Sequence, residues 1–264
     1  MGAHHAAAAV SRRDRVLIST CLVVITALAW AYLNHLDRQM SSAMEYDTMM
    51  ANMGMATVAP WTAADVFFTF AMWAVMMVGM MAGTAAPVLL LFAATRAGRG
   101  AGGVRVAVLM FGLGYVAVWV GFSAGAALAQ WALHETTMLS PAMKASNPYL
   151  AGAILIAAGA YQWTPWKGAC LTQCRSPLGF LMTSWRDGQL GALRMGAGHG
   201  AYCLGCCWAL MCVLFVVGVM NLVWVAALTG FVLLEKIGPA GIVVARVAGA
   251  AMVIGGILLA ATTV

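Results

Sequence analysis

The stretch GALRMGAGHGAYCLGCCWALMCVLFVVGVMNLVWVAALTGFVLL, residues 191–234, decides the fold class. It is too apolar for the surface of a soluble domain, and it is too long for one membrane helix, which needs about 20 residues. Gly218 and Asn221 supply a natural break, so we predict two spans, at residues 191–219 and 222–234. Both are predicted to be helices, because backbone groups in lipid must be hydrogen-bonded within the segment.

The rest of the chain has the same apolar character. Hydrophobic residues make up 63% of the 264 residues and charged residues 8%, whereas soluble domains average roughly 45–50% and about 25%. This composition excludes an ordinary soluble domain and a disordered chain. We predict an all-α, polytopic transmembrane helix bundle of about seven spans, forming one integral membrane domain over residues 1–264. The other five spans are predicted at residues 16–33, 64–94, 104–133, 149–163 and 240–262.

Basic residues are distributed unevenly over the connections between these spans. Twelve of the 14 Lys and Arg fall on one side, which the positive-inside rule places in the cytoplasm. The N-terminus is therefore predicted to be cytoplasmic and the C-terminus outside. Residues 34–63 then form a Met-rich extracytoplasmic loop, and residues 164–190 form a cytoplasmic Cys-containing loop. Because topology explains the excess of basic residues, the expected partner is the lipid bilayer and not a nucleic acid.

The first span has an alternative interpretation. Residues 16–30 follow a basic start and could form the apolar core of a signal peptide. We favour a retained anchor, because removal of this segment would upset the alternation of charge between the two sides of the membrane.

Methionine is concentrated in one part of the chain. Eleven of the 20 Met lie between residues 40 and 81, in the predicted outer loop and in the second span. Thioether sulfur is a soft, neutral ligand that suits Cu(I). Packing or lipid-facing Met would explain the span group equally well, and an interfacial amphipathic segment would explain the loop group. The candidate ligands are Met49, Met50 and Met53 in the loop and Met72, Met76 and Met80 in the span.

The strongest candidate site lies in the fifth span. His199, Cys203 and Cys206 follow one another at i, i+4 and i+7, so they share one face of a helix, and Cys207 lies close beside them. A His inside the membrane indicates function by default. The glycines around these residues permit the close approach of a second helix that could supply further ligands, and the Met face of span two is the expected one. A hydrogen-bonded His beside unrelated Cys is the alternative.

A second pair of thiols, Cys170 and Cys174, follows the fourth span. If this segment is helical, the two thiols stack at i, i+4. Lys167 and Arg175 are expected to lower the pKa of these thiols and favour the thiolate. We interpret the pair as a site for metal transfer or for redox chemistry.

Several stretches together resemble a bacterial family of uncharacterised, predicted metal-binding integral membrane proteins. They are MWAVMMVGMM (72–81), YQWTPWK (161–167), CRSPLGF (174–180), GHGAYCLGCCW (198–208) and MNLVW (220–224). The resemblance covers roughly residues 73–236. It implies metal binding and a membrane setting, but it supplies no established reaction. For a bacterial protein of this kind we predict a location in the inner (cytoplasmic) membrane.

The soft ligands predict a protein that handles Cu(I) by transport, uptake or delivery, with zinc as the less suitable ion. A cytoplasmic or periplasmic copper carrier is then an expected partner. Whether the chain is an enzyme stays open, because a membrane oxidoreductase using a bound metal or a Cys pair is an alternative. A further alternative is an accessory subunit of a membrane metalloenzyme complex.

Overall fold

The computed structural model describes residues 11–53, 61–100, 102–136, 138–139 and 145–261, with the backbone alone at residues 43–48 and 51–52. Within these ranges the chain is helical, and extended pairing is confined to an isolated bridge between Leu139 and Ala145. The helices are α1 (Arg12–Asn52), α2 (Ala63–Gly98), α3 (Val104–Glu135), α4 (Pro148–Tyr161), α5 (Pro165–Arg175), α6 (Pro177–Ser184), α7 (Gly188–Cys212), α8 (Leu214–Val217), α9 (Leu222–Ile237) and α10 (Gly241–Ala261).

Among the described residues, five helical segments are long and apolar enough to cross a membrane, rather than the seven predicted. They are Arg12–Ser42 of α1, α2, α3, Gly188–Val217 and α10. The predicted spans at residues 149–163 and 222–234 correspond to α4 and α9. These helices have 14 and 16 residues, which is fewer than the roughly 20 that a full crossing needs.

Local sequence signals explain where several helices begin. Thr62 and Asp65 form a capping box at the start of α2. Asn147 and Thr164 cap α4 and α5, each followed by a proline in the first turn. The break after α8 falls at Gly218, whose φ of 102° is open to glycine but strained for other residues. Asn221 then caps α9.

Two segments that the sequence places in loops are largely helical. α1 continues from the first span to Asn52, because residues 34–52 contain neither proline nor glycine. Between residues 164 and 190 the chain forms α5 and α6. Cys170 and Cys174 are therefore carried on a helix, α5.

Glycines set the closest helix contacts. A Cβ at Gly196 of α7 would meet the carbonyl of Phe111 on α3, and a Cβ at Gly114 would meet the carbonyl of Leu193. α4 and α10 approach each other in the same way, because a Cβ at Gly152 would lie 2.7 Å from the carbonyl oxygen of Gly256. Small residues allow backbones to approach closely, which is how helices associate in membranes. α5 lies against α7, and this contact forms the site described next.

Candidate metal centre

One face of α7 carries a buried column of imidazole and thiol groups. His199, Cys203, Cys206 and Cys207 are each between 0% and 3% exposed. The thiols of Cys206 and Cys207 both donate to the backbone carbonyl of Cys203, at 3.1 Å and 2.9 Å. These bonds hold both sulfurs against the backbone of α7 at Cys203.

α5 brings a further sulfur to this column. Cys174 Sγ lies 3.9 Å from Cys206 Sγ. Cys170, one turn earlier on α5, packs over Gly205, where a Cβ would lie 2.7 Å from Cys170 Sγ. The helix that supplies a thiol to the α7 column is therefore α5, whereas the sequence favours the Met face of the second span. We call Cys174, Cys203, Cys206 and Cys207 the cysteine cluster.

The basic residues near Cys170 and Cys174 do not act as the sequence suggests. Lys167 donates to both carboxylate oxygens of Glu235, at 2.8 Å and 3.0 Å, and Arg175 donates to the backbone carbonyl of Glu235 at 2.6 Å. Burial raises the pKa of the Cys170 thiol. The pKa of Cys174 is raised by its hydrogen bonds to Cys203 and Cys206 and then by burial. The expected lowering of both thiol pKa values is therefore wrong.

Two groups that the sequence analysis did not single out contact Cys203. Lys236 of α9 donates from Nζ to Cys203 Sγ at 2.8 Å, and the hydroxyl of Tyr115 on α3 lies 2.9 Å from the same sulfur. In the sequence, Lys236 is one of the twelve basic residues that the positive-inside rule places in the cytoplasm. A Lys at the end of an apolar helix normally extends to the membrane surface, so its position in the sequence gives no sign of this contact.

His199 lies one turn from Cys203 among aromatic rings. Its ring centroid is 5.0 Å from that of Phe180 and 6.1 Å from that of Tyr115. Its buried Nδ1 has no hydrogen-bond partner among the described residues. Buried polar atoms normally have a hydrogen-bond partner. This nitrogen has none, so it is available as a metal ligand on the helix that carries the thiols.

The methionines of α2 face the interior of the protein. Met72, Met76, Met77, Met80 and Met81, which we call the methionine column, are each 7% exposed or less. This burial excludes the lipid-facing interpretation. One end of the column approaches the cysteine cluster through hydroxyl groups: Thr84 lies 4.0 Å from Met81 Sδ and 3.4 Å from the Tyr115 hydroxyl.

Met49, Met50 and Met53, the candidate ligands near the end of α1, are not buried with these groups. Met49 and Met53 lie one turn apart at the end of α1 and are 50% and 52% exposed. Met50 is half-buried between them.

The geometry suits a metal held by few ligands. Two thiolates bound at about 120° around an ion, with bonds of about 2.3 Å, lie about 4.0 Å apart, which agrees with the 3.9 Å between Cys174 and Cys206. Within the described part of the chain, no three His, Cys, Asp or Glu side chains are already arranged to hold an ion. A third donor therefore requires a side-chain rotation, and His199, Cys203 and Cys207 are the buried candidates on α7.

Comparison with known protein families gives a match over residues 70–259 to a family described as PpoB2, copper chaperone. The chain belongs to this copper chaperone family. The matched region contains the methionine column, the cysteine cluster, His199 and Lys236. The assignment agrees with the metal-related family that the motifs resemble, and it names the metal as copper. No curated protein and no solved structure matches the chain.

Proposed function

We propose that this chain is a membrane-embedded chaperone that binds Cu(I) at the cysteine cluster and delivers it to another protein. The observation that carries the proposal is the 3.9 Å contact between Cys174 of α5 and Cys206 of α7. Two helices bring their thiols to a separation that fits two sulfur ligands of one metal ion. Membership of the copper chaperone family supports copper as the bound metal.

The ligand set supports the monovalent ion. Thiolate and thioether sulfur are soft donors that suit Cu(I), whereas zinc has less use for methionine. The methionine column is buried on α2, which packs against α3, and Thr84 of α2 and Tyr115 of α3 connect it to Cys203. We infer that the column holds the ion in transit and that His199 completes its coordination at the cluster.

The soft ligands are arranged as a path. The outer methionines capture copper, the methionine column passes it to the cysteine cluster, and Cys170 with Cys174 releases it to a cytoplasmic carrier. In this scheme the protein lies in the bacterial inner membrane with its N-terminus in the cytoplasm, and α4 and α9 complete a set of seven spans. Delivery in the opposite direction, to a periplasmic carrier or to a membrane complex, uses the same groups.

The contact between Cys174 and Cys206 also supports a second candidate function. Two thiols at 3.9 Å need only a small rotation to form a disulfide, so a membrane oxidoreductase could use them as a reversible pair. It would transfer two electrons and two protons from the thiols to an oxidised acceptor.

Elemental analysis of protein purified in mild detergent distinguishes the two functions. Cu(I) is added under a reductant, unbound metal is removed, and copper per chain is compared for the natural protein, Cys174→Ser, Cys206→Ser and Cys212→Ser. We expect bound copper to fall at least tenfold in the first two variants. Cys212→Ser is the matched control, because Cys212 is also on α7 but lies outside the cluster.

Equal copper content in all four proteins would contradict the chaperone proposal. A natural protein that binds no copper, but loses two free thiols on treatment with a quinone, would favour the oxidoreductase. Gel filtration of each variant in detergent checks that the substitution leaves the fold intact.

A further inference from the structure

One positively charged side chain, Lys236, faces a sulfur of the cysteine cluster. Glu235 and Lys236 are adjacent on α9, and both are buried. Both carboxylate oxygens of Glu235 accept from Lys167, so the charge of Glu235 is balanced within that ion pair. The ammonium of Lys236 instead points at Cys203 Sγ, 2.8 Å away.

A cation in this position acts on the charge of any metal bound to Cys203. Metal–thiolate bonds are about 2.3 Å long, so a bound ion would lie within about 5 Å of Lys236 Nζ. Repulsion at this distance is strong in a buried environment, and it is twice as large for a divalent ion as for a monovalent ion. Sulfur ligands alone do not exclude zinc, which cysteine thiolates bind readily.

We propose that Lys236 is a specificity-determining residue that makes the cysteine cluster prefer monovalent copper over divalent zinc. This inference rests on the proposed function and assigns its metal selectivity to a residue that is not itself a ligand. Lys236 contributes through its fixed positive charge and through its hydrogen bond to Cys203.

Competition between the two metals tests the proposal. The full chain in mild detergent is given equal concentrations of Cu(I), kept reduced, and Zn(II), and the bound ratio is measured by elemental analysis. We expect the ratio of zinc to copper to rise at least tenfold in Lys236→Met, which removes the charge but keeps the length of the side chain. We expect Lys236→Arg, which keeps the positive charge, to leave the ratio close to that of the natural protein.

The outcomes separate this inference from the proposed function. An unchanged ratio in Lys236→Met, or an equal rise in Lys236→Arg, would show that the charge does not set selectivity. A natural protein that binds no Cu(I) would instead refute the proposed function. Cys212→Ser is the control for nonspecific effects on α7. If Lys236→Met aggregates on gel filtration, Lys236→Gln repeats the test with a neutral donor retained for Cys203.

Discussion

At the scale of single residues, Cys203 is the point where three helices meet. Its sulfur contacts Tyr115 from α3 and Lys236 from α9, and its backbone carbonyl holds two neighbouring thiols on α7. Groups that hydrogen-bond a metal ligand fix its orientation and influence its affinity for the metal. Tyr115 therefore has a positioning role in the proposed site.

Replacing Tyr115 with Phe removes only the hydroxyl that contacts Cys203 Sγ. We expect copper affinity to fall about tenfold, which is the lower end of the effect typical for such supporting groups. A competition titration with a Cu(I) chelator measures the change. Tyr202→Phe is the matched control, because Tyr202 is next to Cys203 but is 38% exposed. Equal affinities in the two variants would assign Tyr115 to packing alone.

At the scale of elements, the position of α5 determines whether the cluster exists. α5 contributes Cys174, and it is tied to α9 by the buried ion pair between Lys167 and Glu235, with Arg175 bonded to the end of α9. Gln162, at the end of α4, accepts a further bond from Lys167. Removing one partner of a buried ion pair leaves an uncompensated charge, which is strongly destabilising.

Glu235→Gln tests this attachment. We expect the variant to lose about 3–5 kcal/mol of stability and to loosen α5, because Lys167 keeps its charge without a buried counter-charge. Thermal unfolding in detergent measures the loss, and faster alkylation of Cys170 and Cys174 under native conditions reports the movement of α5.

Two comparisons check the reason for that effect. Glu135→Gln removes an exposed carboxylate at the end of α3 and is expected to change neither measurement. Replacing both partners, as Lys167→Met with Glu235→Leu, should recover part of the stability, because neither charge remains buried. If Glu235→Gln unfolds and reacts like the natural protein, the ion pair does not hold α5.

At the scale of the whole molecule, close backbone contacts hold the long helices together. The contact between α3 and α7 depends on Gly114 and Gly196, which leave no room for a side chain. This contact also fixes the distance between Tyr115 and Cys203. Tyr115 directly follows Gly114 on α3, and Cys203 lies two turns after Gly196 on α7. Helix packing in the bundle is therefore coupled to the geometry of the metal centre.

Gly114→Ala should destabilise the bundle, because the added methyl group would overlap the backbone of α7 at Leu193. We expect a loss of about 1–3 kcal/mol, as is typical of overpacking, together with lower copper content. Gly112→Ala is the control on the same helix, since an added Cβ there meets nothing within 4 Å. It should be neutral or stabilising by up to ~1 kcal/mol through helix propensity. Similar melting temperatures for the two variants would contradict this account of the α3–α7 contact.

The sequence by itself determined the all-α class, the presence of helices apolar enough to cross a membrane, and the shared face of His199, Cys203 and Cys206. Hydropathy and the helical repeat are local properties, so they can be read along one segment. Only the tertiary structure decided that Cys174 meets Cys206 and that Lys236 meets Cys203. These contacts join residues more than 30 positions apart, and they depend on where glycines let helices approach and which buried charges pair. Residue spacing along the chain does not show which helices approach each other or which buried charges pair.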